Sequence, residues 1–83
     1  MINEMWPAIE SFVNQELEKS NPFTIFSGDF SEKFSLGTGF LDELIKTARE
    51  KGANFKIKPS STSNDYPEDS HENYFDIKFI KIS

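Results

Sequence analysis

The feature that most constrains this chain is a pair of stretches in its C-terminal third, Asn54 to Lys58 and Tyr74 to Ile82, that alternate apolar and polar residues. Strict alternation sends every second side chain to one face, which is how a strand with one buried and one wet face reads. Phe55 and Ile57 point one way, Lys56 and Lys58 the other, and Phe75, Ile77 and Phe79 alternate with Asp76 and Lys78. The two stretches predict an antiparallel hairpin. Near Ile80 the phase changes, since Ile80 and Ile82 lie opposite Phe79, and a bulge or an end buried on both faces would account for that. The segment between the strands, Pro59 to Asn73, holds four acidic residues and no base. Hairpin loops usually run about two to five residues, so this is a long, polar, acidic loop.

Upstream, apolar residues fall at Ile2, Met5, Trp6, Ile9, Phe12, Val13 and Leu17. They form one stripe at helical spacing, with Glu4, Glu10, Gln15 and Glu18 facing elsewhere. An interior proline costs about 3 kcal/mol, so Pro7 places the start of regular helix close to itself. The spacing predicts a helix over about residues 4–19, ended by Ser20, Asn21 and Pro22. Phe23 to Ser27 (FTIFS) is short, β-branched and aromatic, and reads as a strand. From Gly28 to Gly39 the pattern is irregular, with Phe30, Phe34 and Leu36 as pegs into the core. A second stripe follows at Phe40, Leu41, Leu44, Ile45 and Ala48, with Asp42 and Glu43 near its start and Lys46, Arg49 and Lys51 near its end. That polarity suits the helix dipole, and Gly52 stands where a C-terminal glycine cap belongs. A helix over about residues 39–51 is expected.

These elements predict a single small α+β domain over residues 1–83 in the order α-β-α-β-β. Two helices pack on one face of a three-stranded mixed sheet that ends in an antiparallel hairpin. The first strand pairs through the second helix by a right-handed crossover. A chain of this size buries only about 60–65% of the surface its unfolded form exposes. Nine Phe, two Tyr and one Trp are the means of an efficient core, because large rings supply much apolar area per residue ordered.

Composition narrows the function classes. Cysteine is absent, which removes disulfide frameworks and thiolate metal sites and favours a reducing compartment. The opening MINEMWPAIE has no basic region or unbroken apolar run of the signal-peptide kind, and no run approaches the roughly 20 apolar residues that span a bilayer. A cytoplasmic location is expected. The net charge of -5 and pI near 4.7 argue against phosphate-neutralising nucleic-acid binding, which needs clustered Lys and Arg. Residues 1–32 hold six acids and Lys19 as their one base, while most other bases fall on the second helix and the strands. An electrostatically two-sided molecule follows.

Each candidate for chemistry meets a simpler reading. His71, the only histidine, has Glu68, Asp69 and Glu72 nearby, but the spacing fits neither an EF-hand nor a zinc motif; a solvated loop explains it better, and no metal is expected. Gly37-Thr38-Gly39 precedes a helix, yet it lacks a Walker lysine, and Asp42 and Glu43 would repel phosphate. It is a turn. The carboxylate pairs Glu16/Glu18, Asp42/Glu43 and Glu68/Asp69 sit on wet helix faces or in the loop, not in the contrasting environments that acid–base catalysis needs. Lys56, Lys58 and Lys78 share the polar face of the hairpin, where pairing with Asp76 and relief of edge-to-edge aggregation account for them. Tyr66 is an amphipathic aromatic among Asp65, Pro67, Glu68 and Asp69 with no periodicity to bury it, as interface hot spots favour; the simpler reading, that it folds back onto the hairpin, stands equal to that one.

The expected function is a small acidic protein-binding module, an inhibitor, immunity or antitoxin-type protein of phage or bacterial kind that blocks a basic site on another protein. It is not expected to be an enzyme or to use a cofactor. The contacting groups are Asp65, Tyr66, Glu68, Asp69 and Glu72 in the loop, with Glu10 and Glu18 on the first helix as a second patch. The partner is another protein with a basic surface, without direct nucleic acid or membrane contact, and an exposed sheet edge or the first helix would permit a homodimer. The alternatives are a small hydrolase or metal-dependent enzyme using His71 and loop carboxylates, or a structural assembly subunit.

Overall fold

The computed structural model describes residues 2–37, 39–59 and 75–82. The chain runs α1 (Ile2–Lys19), β1 (Phe23–Phe26), α2 (Ser27–Phe34), α3 (Phe40–Glu50), β2 (Phe55–Pro59) and β3 (Asp76–Lys81). Helix α1 buries Ile2, Trp6, Ile9, Val13 and Leu17, one stripe at the spacing a 3.6-residue turn imposes. It starts at Ile2 rather than near Pro7, which stands inside it. Ile2 and Trp6 belong to the buried stripe, so packing of the first turns outweighs the hydrogen bond that Pro7 cannot make.

Helix α2 occupies ground that the pattern reads as irregular. Phe30 and Phe34 stand one turn apart on its buried face, their ring centroids 5.0 Å apart. It closes at Ser35, which adopts the left-handed conformation (φ 55, ψ 46) usually taken by glycine. There the Leu36 N–H donates to the Ser31 carbonyl at 2.8 Å. Helix α3 ends as its sequence implies: Gly52 has φ 67, and the Ala53 N–H returns to the Ala48 carbonyl at 3.0 Å.

The sheet has the order β1-β3-β2 and is antiparallel at both joints, not mixed. Strands β1 and β2 do run in the same direction, as a crossover requires, but β3 lies between them. The reason is visible in the register: Phe23 faces Phe79 and Ile25 faces Ile77, while Ile57 faces Phe79 from the other side. Ile77 and Phe79 are both 0% exposed, and only the central position gives them apolar neighbours on two flanks. Asn21 extends the β1–β3 ladder by a side chain, its Oδ1 accepting the Lys81 N–H at 3.1 Å. At the other end Ser27 and Phe75 clamp each other. The Ser27 N–H donates to the Phe75 carbonyl at 2.7 Å, and the Phe75 N–H donates to Ser27 Oγ at 3.0 Å.

Residues directly opposite each other share a face. The inner face is therefore Phe23, Ile25, Ile77, Phe79, Phe55 and Ile57, and the three helices pack on it around one hydrophobic cluster. Rings tie the layers together, Trp6 to Phe55, Phe12 to Phe23 and Phe30 to Phe79. The ladder passes Ile80 without a bulge, pairing it with Lys56. Ile80 lies on the outer face with Lys56, and Ile82, just beyond β3, has 58% of its surface exposed.

Candidate functional site

Of the seven residues proposed for partner contact, Asp65, Tyr66, Glu68, Asp69 and Glu72 lie outside the described residues, as does His71. Glu10 and Glu18 are on α1, Glu10 half-buried and Glu18 exposed. Eight residues of helix separate them, about 12 Å along the axis. Glu4 and Glu18 project from the side of α1 opposite its buried stripe, and Glu10 and Glu16 flank that stripe. Lys19, the one base on this helix, pairs with Glu16 at 3.5 Å. Among the described residues, Glu4, Glu10 and Glu18 have no cationic partner. Five buried side chains anchor the helix, so these carboxylates are presented on a rigid support.

The remaining candidates resolve into structure. Gly39 precedes α3 with φ 78, and Asp42 and Glu43 follow in the first turn, both exposed. Glu16 and Glu18 diverge around the helix. Among the described residues, no group of three His, Cys, Asp or Glu could hold a metal ion, and no helix is long and apolar enough to cross a membrane.

Two further features lie on the sheet. The first is the outer face of the sheet, where Lys78, on the central strand, has Thr24 on one side and Lys58 on the other. Lys56 pairs with Ile80 in the next row. Asp76 lies directly opposite Phe26 rather than a lysine, so the expected Lys–Asp pairing is not a directly opposed one. The second is a groove of about 480 Å³ between α3 and the edge strand β2. Ile45, Ala48, Phe55 and Ile57 give it an apolar lining, and Arg49, Lys56 and Lys58 also border it. The shared face of the three lysines is legible in the sequence, but the direct opposition of Lys58 and Lys78 depends on the register of β2 against β3.

No protein-family model, curated protein or solved structure matches this chain. The functional reading rests on its own residues.

Proposed function

We propose that the protein is a small acidic binding module of the inhibitor, immunity-protein or antitoxin kind, which acts in the cytoplasm by occupying a basic site on another protein. The observation that carries this reading is the uncompensated charge on α1. Its single lysine is paired with Glu16, which leaves Glu4, Glu10 and Glu18 to project a negative field from a helix fixed to the core. Fields of this kind steer an oppositely charged partner and accelerate encounter. A domain this small still offers the roughly 800 Å² per partner of a standard interface. The loop acids Asp65, Glu68, Asp69 and Glu72, with Tyr66 as an anchor, would add to the same field. The hydrolase alternative rests on His71 and loop carboxylates alone, all outside the described residues, and nothing else favours it.

Affinity capture from the native host with mass spectrometry tests the proposal. The expected catch is a basic protein held in equimolar complex and weakened by Glu10→Lys/Glu18→Lys. A complex indifferent to that charge reversal, and to neutralising the loop acids, would sink it.

A further inference from the structure

The β2 edge combines three independent features. The first is backbone polarity. The Ile82 N–H donates to the Asn54 carbonyl at 2.8 Å, which makes that pair a hydrogen-bonded one. In an antiparallel ladder such pairs alternate with non-bonded ones, so Lys56 and Lys58 turn their main-chain groups toward β3. Phe55 and Ile57 turn theirs outward, and among the described residues no group bonds their N–H and C=O on the sheet edge. The second feature is the groove beside that edge, with Ile45, Ala48 and Ile57 among its lining. The third is charge: Lys56 and Lys58 stand on the outer face, and Arg49, the only arginine of the chain, borders the groove from α3.

We propose that this edge is a docking site for an extended acidic segment of a partner protein, which adds as a fourth strand along β2. Main-chain groups of the incoming segment bond Phe55 and Ile57, the mode that β-strand addition uses for affinity. Its apolar side chains lie in the groove. Alternate carboxylates face Lys56 and Lys58, and one at the groove side meets the Arg49 guanidinium, whose planar fork suits a carboxylate.

Edge lysines also guard sheets against pairing with their own kind, and that role accounts for Lys56 and Lys58 as far as it goes. It does not account for Arg49, which is on a helix, or for an apolar groove beside the guarded edge. The same charges decide against a second copy as the occupant. Antiparallel pairing of two β2 strands about Ile57 would set Lys56 of one opposite Lys58 of the other, and like charges directly opposite are destabilising. An acidic strand turns both repulsions into attractions. Pro59, which has no N–H, ends the usable edge.

The probes are a short synthetic peptide alternating Val and Glu, its Val/Gln and Val/Lys counterparts, and a Val/Glu peptide N-methylated on the bonding edge. Binding is followed on the full chain by amide chemical shifts and hydrogen exchange. The Val/Glu peptide should shift and protect the Phe55 and Ile57 amides. Lys56→Glu/Lys58→Glu, at two exposed positions and checked for fold by circular dichroism, should weaken it at least about tenfold. Arg49→Gln should weaken a Val/Glu peptide in which one groove-side Val is replaced by Glu, though less than the lysine reversal does, and N-methylation should abolish binding. Equal binding of the Val/Lys peptide, or indifference to the lysine reversal, overturns the proposal. Equal binding of the N-methylated peptide overturns strand addition. A dimer of the free protein protecting the same two amides assigns the edge to a second copy. None of these outcomes bears on the acidic face of α1, which takes a partner of opposite charge.

Discussion

Phe30 touches rings from four elements: Phe12 of α1 at 6.5 Å between centroids, Phe34 of α2 at 5.0 Å, Phe40 near the start of α3 at 5.8 Å and Phe79 of β3 at 5.7 Å. Removing it empties the junction of helices and sheet, and a buried Phe→Ala substitution costs about 3–5 kcal/mol. Small domains hold only about 5–15 kcal/mol in total. Phe30→Ala should therefore lower the urea midpoint drastically or leave the chain unfolded at 25 °C, while Phe30→Leu should retain a cooperative transition. A midpoint shift worth less than about 1 kcal/mol in the alanine variant would contradict a close-packed junction. Ser35 tests the opposite sign. It is an exposed non-glycine residue at φ 55, a conformation in which a Cβ costs about 1 kcal/mol. Ser35→Gly should raise stability by about 0.5 kcal/mol after the extra freedom glycine gives the unfolded chain. Gly52→Ala, at φ 67, should lower it by about 1 kcal/mol. Paired urea titrations check both.

At the scale of elements, the stripes that define α1 and α3 and the alternation that defines β2 and β3 are legible because each meets its period over enough residues. Helix α2 is not, for a physical reason. Eight residues are too few to hold a helix unaided, Gly28 and the serines at positions 27 and 31 are indifferent formers, and no glycine marks its end. Phe30 and Phe34 make it helical only once they have a core to enter. Strand order is hidden for a different reason: alternation says which face a residue takes but not which strand lies beside it. The shared face of Lys58 and Lys78 follows from the alternation, but their direct opposition is legible only once the register of β2 against β3 is known. Like charges directly opposed in a ladder destabilise by a few tenths of a kcal/mol up to about 1. Lys58→Glu should accordingly raise stability within that range and reduce the gain in stability that the parent shows on adding salt. Urea unfolding at low and high ionic strength measures both. A variant no more stable than the parent, with the same salt response, would mean the two ammonium groups already diverge into solvent.

Taken whole, the molecule presents acids on the outer surface of α1 and lysines on the opposite side of the sheet, and this polarity bears on how a basic partner arrives. Charges more than about 10 Å apart are screened at 0.1 M salt, whereas contacts within a formed interface are screened far less. Steering by α1 should therefore act before contact, so the association rate should fall as salt rises while the dissociation rate changes little. Replacing Glu10 and Glu18 by Gln leaves the buried stripe of α1 intact, so the fold should survive. The association rate at low salt should drop several-fold and lose part of its salt dependence. Neutralising Asp65, Glu68, Asp69 and Glu72 should act in the same direction, and comparing the two variants ranks helix against loop as the source of the field. Tyr66→Ala should instead act on dissociation, because an anchoring ring contributes only after docking. Stopped-flow mixing with the captured partner at two salt concentrations separates these effects. Salt-independent association, with both charge variants matching the parent, would mean that the acidic surface keeps the protein in solution and does not guide it to a target.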